Sequence, residues 1–330
     1  MRIADLFAGI GGMRLGVEHA FGDAADTVYV CEIDPYVRKT YFANFNVGSA
    51  VVDSDITKVD ENNVPNFDIC LAGFPCQAFS IAGKHGGFED NYRGVCRGTL
   101  FLDVVRICEQ VKPMVIFCEN VKGLVIHDKG RTFKVIRDAF EEIGYRVHYK
   151  ILNSKDYGLA QNRERIYLVC FRADIDDSAF QFPDPIEKRV SIADIMEPAP
   201  IPSKYYLSDT YLKALREHKA RHEAAGNGFG YIIRDTNGIA EALVCGGMGR
   251  EKNLIVDSRP HSMVPKTNIK GKINDEDIRK LTPREWARLQ GFPDSFKLPV
   301  SDTHTYKQLG NTVSINVVEE IAKSIRSVLE

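Results

Sequence analysis

Asp5-Leu6-Phe7-Ala8-Gly9-Ile10-Gly11-Gly12 closes one short apolar run and opens a helical pattern. Glu32 follows the next apolar run, about twenty residues on, the spacing of a strand, glycine turn and helix followed by a strand-end carboxylate. The pairing suits a nucleoside-containing cofactor, because glycines let the backbone approach closely and the carboxylate accepts hydrogen bonds from ribose hydroxyls. A dinucleotide turn wants a third glycine at position 14, where the chain has Arg14. With no pyrophosphate to cradle, S-adenosylmethionine suits the turn better than a nicotinamide dinucleotide. Asp55, just past the third apolar run, is placed to accept from an adenine amino group. Taken singly, Glu32 and Asp55 read equally well as ordinary strand-end turn residues.

Working outward, β-rich runs at Ile3 to Phe7, Thr27 to Cys31, Val51 to Val52, Asp68 to Ala72, Met114 to Cys118, Val147 to Leu152 and Ile166 to Phe171 alternate with helical patterns near 13–21, 35–44, 99–111 and 131–143. This predicts an α/β fold: a doubly wound, mostly parallel, Rossmann-like sheet with helices on both faces. The texture changes after about residue 180, where Phe182-Pro183-Asp184-Pro185 and Pro198-Ala199-Pro200-Ile201-Pro202 act as punctuation. A smaller domain is expected over 189–304, with a basic helix near 211–222 and glycine turns at Gly226-Asn227-Gly228 and Gly246-Gly247-Met248-Gly249. The larger domain takes 1–188 and resumes over 305–330. Thr282-Pro283-Arg284-Glu285 reads as a capping box, and Val317, Ile321, Ala322, Ile325 and Val328 form the apolar face of a closing helix.

The 330 residues are 44% hydrophobic and 27% charged, which excludes a disordered chain or a disulfide-stapled miniprotein. No apolar run is long enough to span a bilayer, and no signal-peptide pattern follows Met1, so an intracellular, cytoplasmic protein is expected. The eight cysteines include no Cys-x-x-Cys pair, so neither a metal site nor a redox dithiol has support. A net charge of -2 argues against wholesale polyanion binding, so any nucleic-acid contact must be concentrated on one face.

Ala72-Gly73-Phe74-Pro75-Cys76-Gln77-Ala78-Phe79-Ser80 follows the fourth strand, at the sheet edge where open α/β folds carry reactive groups. Cys31, Cys70, Cys108, Cys118 and Cys170 sit in strands or on apolar helix faces and read as small core residues. Cys76 differs, because it leaves a strand for a loop. Glu119-Asn120-Val121 ends the fifth strand, and Gln161-Asn162-Arg163-Glu164-Arg165 precedes the seventh. A thiol, a carboxyl and two guanidiniums therefore converge on one crevice. Alone, each would be an ordinary cap, ion-pair member or strand-edge charge.

With these blocks in hand, the chain resembles the DNA (cytosine-5)-methyltransferases of bacterial restriction–modification systems over roughly 1–185 and 280–330, with Pro283-Arg284-Glu285 and Gln308-x-Gly310-Asn311 completing the family's order. The resemblance implies methyl transfer from S-adenosylmethionine, leaving S-adenosylhomocysteine, to C5 of a cytosine in duplex DNA. It implies Cys76 as nucleophile, Glu119 at the target base, and Arg163 and Arg165 lining the pocket. The expected cofactor residues are Phe7, Gly9, Gly11, Gly12, Glu32, Ile33, Asp55, Ile56, Gly73, Pro75, Leu100, Asn311 and Val313, with no metal. Gln77, Ser80, Lys84, Arg97 and Arg250 are the expected DNA contacts, Phe79 to Arg97 being the loop expected to close over a flipped base. The 189–304 domain would then be the target-recognition domain and hinge. A monomer is expected, with a separately acting cognate endonuclease as the further partner such systems imply.

Two features depart from the family. The Thr-Leu pair common in its recognition region is replaced by Ala242-Leu243, and the loop is extended around Asn91-Tyr92-Arg93-Gly94-Val95-Cys96. Two other readings stay open. One is methylation of a transfer-RNA cytosine by the same chemistry, against which the Cys-Phe-Thr element typical of such relatives is absent; the other is a non-catalytic DNA-binding relative.

Overall fold

A computed structural model describes residues 1–75, 91–92, 95–96, 100–246, 248–262 and 271–330. Its main sheet holds β1 (Arg2–Leu6), β2 (Asp26–Cys31), β3 (Val51–Asp53), β4 (Ile69–Ala72), β5 (Val115–Val121), β6 (Tyr145–Asn153) and β7 (Glu164–Arg172), in the order β3-β2-β1-β4-β5-β7-β6. β1 runs parallel to β2 and β4, β2 to β3, and β4 to β5. Only β7 departs from this among these strands, pairing antiparallel with both β5 and β6. Because β7 is reversed, its start lies beside the end of β5, with Arg165 opposite Val121. The chain winds outward from β1 to β3 and then crosses to β4, so the switch in strand order falls between β1 and β4, whose carboxyl ends are where open α/β sheets of this kind carry their ligand crevice.

The crossover helices α1 (Gly12–Phe21), α2 (Pro35–Asn44), α3 (Phe101–Val111) and α4 (Arg131–Glu142) fall within two residues of the expected spans. Strand residues of alternate parity feed two cores. Ala4, Leu6, Cys70 and Cys118 pack with Phe101, Val104 and Ile107 of α3 and with Phe133, Ile136 and Phe140 of α4. On the opposite face, Ile3, Leu71, Phe117 and Val169 pack with α1 and the closing helix.

Beyond the sheet lie α5 (Asp209–Ala224), α6 (Pro283–Leu289), α7 (Asp302–Asn311) and α8 (Ile315–Leu329). The capping box at α6 forms as its sequence indicates: Thr282 accepts from the Glu285 backbone and Glu285 accepts from that of Thr282. In α8, Val317, Ile321, Ala322 and Ile325 are buried, and α8 presses on α1 so closely that a Cβ on Gly16 would meet Val318 Cγ1 at 2.7 Å. The region 189–304 contributes a small sheet of β8 (Ile233–Arg234), β9 (Leu254–Val256) and β10 (Ile278–Lys280), in the order β8-β9-β10, with Leu212 and Leu215 of α5 packed beside Leu254 and Ile278. Trp286, Leu289, Phe292 and Phe296 share a third core with Ala8, Ile10 and Phe45, and residues 304 and 305 lie inside α7.

Candidate active site

The glycine turn is shaped as its residues require. Phe7 (φ 54), Gly9 (φ 57) and Gly11 (φ 84) all adopt left-handed backbone, which costs Phe7 some strain and the glycines little. Gly11 is further constrained, because a Cβ there would meet the Phe45 ring at 2.2 Å. A Cβ on Gly12 would strike Thr312 Oγ1 at 2.5 Å and Val313 Cγ2 at 3.0 Å. The turn is thus built against residues three hundred positions away.

Beyond β2, the Glu32 carboxylate accepts from the backbone N–H groups of Gly9 at 2.9 Å and Asp34 at 2.8 Å. Burial pushes it up from the usual carboxylate range, against these two hydrogen bonds. Ile33, immediately after it, is 65% exposed at this edge. An apolar side chain presented to solvent beside a half-buried carboxylate fits a nucleoside, whose base stacks on the one while its ribose bonds to the other. Among the described residues no atom would meet a Cβ on Gly73 within 4 Å at the end of β4. Asp55 caps the turn Ile56–Lys58, its Oδ1 accepting from Thr57 N at 3.2 Å and Thr57 Oγ1 at 2.7 Å, and it pairs with Lys58 at 3.2 Å. These hydrogen bonds hold it below the usual range. Ile56 is buried, Leu100 sits half-buried at the N-cap of α3, and Asn311 is exposed at the end of α7 beside buried Val313.

At the second part of the crevice, Asn120 is fully buried and donates to Phe74 O at 3.2 Å, fixing the chain immediately before Pro75. Cys76, Gln77, Ser80, Lys84 and Arg97 lie outside the described residues, as does most of the expected closing loop. Within it, Asn91–Tyr92 and Val95–Cys96 form a short antiparallel pair. Glu119 is buried, and Arg165 Nε lies 3.1 Å from its Oε1. That approach is off the donor axis, so Glu119 Oε1 has a charge partner but no hydrogen bond. Burial raises the Glu119 carboxyl, outweighing the pull of Arg165 and Arg163. A carboxyl so placed is suited to hold a proton and share it with a ring nitrogen.

Arg163 behaves differently from Arg165. Its guanidinium donates to Leu243 O at 2.9 Å, Gly310 O at 3.3 Å and Thr312 O at 2.6 Å, and it is buried. It therefore ties the start of β7 to two distant segments. Arg250 stands in a 3-10 turn, Arg250–Asn253, with its guanidinium 5.4 Å from the Tyr306 ring centroid. The stretch from Tyr231 to Asp257 is no plain hairpin: Ile233 and Arg234 pair parallel with Leu254 and Ile255, and Ala240 and Glu241 pair parallel with Gln161 and Asn162. Gly247 of the glycine turn lies outside the described residues.

Cys31, Cys70, Cys108, Cys118 and Cys170 are buried free thiols, and burial pushes Cys31 up to about 12 and Cys70 and Cys118 well above the usual thiol range. Such thiols are poor nucleophiles. Among the described residues no group of three His, Cys, Asp or Glu side chains is arranged to hold a metal, and no helix is long and apolar enough to cross a membrane. One residue escaped the sequence reading. Gln290 is completely buried among the site segments, but a glutamine ending a helix carries no signal of that.

Residues 1–327 match the family model described as C-5 cytosine-specific DNA methylase. The type II methyltransferase M.HpaII of Haemophilus parainfluenzae is 50% identical over 326 residues, covering 97% of this chain and 88% of that protein. M.HhaI of Haemophilus parahaemolyticus is 41% identical over 337 residues, covering 100% and 95%. Among solved structures, the S. pombe Dnmt2 methyltransferase superposes with a TM-score of 0.76 at 21% identity, covering 100% of this chain and 99% of that one, a likeness of fold.

Proposed function

The chain belongs to the C-5 cytosine-specific DNA methylase family, as a DNA (cytosine-5)-methyltransferase of the restriction–modification type, and from that premise we propose that it methylates one cytosine of a short duplex site through a covalent bond to Cys76. The observation that supports this reading best is the buried Glu119 carboxyl, raised by its surroundings and set beside Arg165 at the mouth of the crevice.

Cytosine C5 is a weak carbon nucleophile until something adds at C6. The Cys76 thiolate forms the S–C6 bond, and the electrons of the C5–C6 double bond move into the ring. Glu119 gives or shares a proton at N3, and Arg165 donates to the O2 carbonyl, both offsetting the developing negative charge. S-adenosylmethionine, when bound, would supply its sulfonium methyl carbon as the electrophile for C5, the C–S bond breaking to leave S-adenosylhomocysteine. Glu32, Ile33 and the Gly9–Gly12 turn would hold it, with Phe7, Asp55, Ile56, Gly73, Pro75, Leu100, Asn311 and Val313 around them. After transfer the N3 proton returns to Glu119, the C5 proton passes to water, the S–C6 bond breaks, and Cys76 leaves as thiolate.

C6 must be approached from above the ring, so the cytosine leaves the stack, at a cost of a few kcal/mol. Gln77, Ser80, Lys84 and Arg97 belong to the loop that would close on it. The unit 1–188 with 305–330 does the chemistry in this account, and 189–304 reads the DNA, Arg250 included. Arg163 is best read as a positioning residue, since both its terminal guanidinium nitrogens donate to backbone carbonyls. The protein would act as a monomer in the bacterial cytoplasm, alongside a separate endonuclease and without a metal.

Labelled S-adenosylmethionine offered with duplex genomic DNA or with transfer RNA tests the substrate. Label should enter DNA, and bisulfite sequencing of host DNA should show one recurring cytosine context. Label confined to transfer RNA would overturn the reading.

A further inference from the structure

Three segments far apart in sequence meet around two buried glutamines. Gln161 Oε1 accepts from Leu243 N at 2.9 Å, while its Nε2 donates to Leu289 O at 2.9 Å and to Gln290 Oε1 at 3.1 Å. Gln290 Nε2 donates to Leu309 O at 2.8 Å, and its Oε1 also accepts from Ser314 Oγ at 3.2 Å. Both side chains are fully buried, and each amide oxygen and nitrogen is engaged. Arg163 bridges the same segments through Leu243, Gly310 and Thr312. At Gly310 the contact is backbone on backbone, since a Cβ there would meet Cys245 N at 2.7 Å and Cys245 Cα at 2.9 Å.

A buried amide pair whose oxygens and nitrogens are all engaged favours one arrangement, and loss of one member strands the other away from water. The segment 309–314 carries Thr312 and Val313, which press on the glycine turn at Gly12. Its partner 242–245 leads directly into the turn bearing Arg250. Displacement of either segment must therefore break hydrogen bonds to the Gln161, Gln290 and Arg163 side chains that hold the other.

We propose that Gln290 is a positioning residue: with Gln161 and Arg163 it makes the cofactor-side segment 309–314 and the DNA-side segment 242–245 one rigid unit, so that filling the cofactor site orders the segment that reads DNA. The proposal rests on the reading above that S-adenosylmethionine lies against 311–313 and DNA against the stretch from 242 to 250. An apolar isostere of Gln290 keeps the packing and removes the amide relay to Gln161, leaving only the Arg163 bridge between the segments.

Hydrogen-exchange mass spectrometry of the full chain, with and without saturating S-adenosylhomocysteine, tests it without knowledge of the DNA site. In the unaltered protein the ligand should slow exchange at 8–13 and 311–313 and also slow it across 242–256 by about fivefold or more. In Gln290→Met, with ligand binding verified by calorimetry, the slowing at 8–13 should persist while that at 242–256 falls below about twofold. Global destabilisation would raise exchange with and without ligand alike and leave the ratio unchanged. Ser314→Ala removes only the hydroxyl donated to Gln290 and should weaken transmission in the same direction, should Gln290→Met fail to fold. Full slowing at 242–256 in a folded variant overturns the proposal, as does protection at 8–13 and 311–313 in the unaltered protein with none at 242–256. Bound ligand that protects neither 8–13 nor 311–313 would overturn the cofactor-site reading itself, and the coupling with it.

Discussion

Glu119 and Asp5 are both carboxyls that burial pushes toward the neutral form, and they make different demands on pH. For Glu119 the neutral acid is the working form in our account, so the chemical rate should be highest below its raised pKa and fall as pH rises through it. Glu119→Gln should lower the single-turnover rate by about two to four orders of magnitude and abolish that decline, since an amide bonds to the base but gives up no proton. A variant within twofold of the unaltered rate would exclude the acid role. Asp5, buried at the end of β1, is raised from 3.8 to about 7 by burial, opposed by Arg14 and by the hydrogen bond from Tyr41. The folded state holds this proton more tightly than the unfolded chain, so the stabilisation is fully present below pH 3.8 and is lost as pH rises through about 7. Asp5→Asn should therefore gain stability relative to the unaltered protein between pH 5 and 8, measured by urea unfolding. A gain that does not change over that range would contradict the assignment. Glu119 could be picked out from its strand-end motif, whereas the raised Asp5 was not legible, because burial depends on the Tyr41 and Arg14 packed around it.

At the scale of elements, the parallel strands were legible because β4 and β5 are buried on both faces and read as unbroken apolar runs. Helix α6 was legible through its capping box. What the sequence could not indicate is what that box also does. Glu285, besides capping, forms a bidentate pair with fully buried Arg279, at 2.7 and 2.8 Å, while Arg279 Nε donates to Asp257 at 2.7 Å. Arg259 holds the other side of Asp257, and the two guanidiniums keep that carboxyl down at about 2. One arginine thus fastens β10, α6 and the residue after β9. Arg279→Met leaves the buried Glu285 carboxylate without its charge partner, while Asp257 keeps Arg259, and should cost about 3–5 kcal/mol. Thr282→Ala, which removes the cap, should cost about 1 kcal/mol. Urea unfolding gives both, and an Arg279 cost no larger than the Thr282 cost would show that solvent reaches the network.

Across the whole molecule, the sheet and its crevice follow from patterns local in sequence, but the joining of 189–304 to the rest does not. Trp286 and Phe292 share a core with Ala8 and Ile10, and Gln161 bonds to Leu243, contacts that no periodicity encodes. In the proposed reading the region 189–304 should still carry specificity, because bases are read at their edges whereas a pocket that takes a flipped cytosine would see only that base. Transplanting about 190–280 into a family member with another site should move the methylation pattern with the segment. An active chimera that keeps its host's pattern would remove the region from recognition. The most direct test of the whole account is a trap for the covalent step. Duplex DNA bearing 5-fluorocytosine at the mapped target blocks loss of the C5 substituent, so with S-adenosylmethionine present the protein should form a denaturation-resistant adduct. Peptide mapping should place it on Cys76, with Cys76→Ala forming none. An adduct on another residue, or methyl transfer by the alanine variant, would contradict the mechanism.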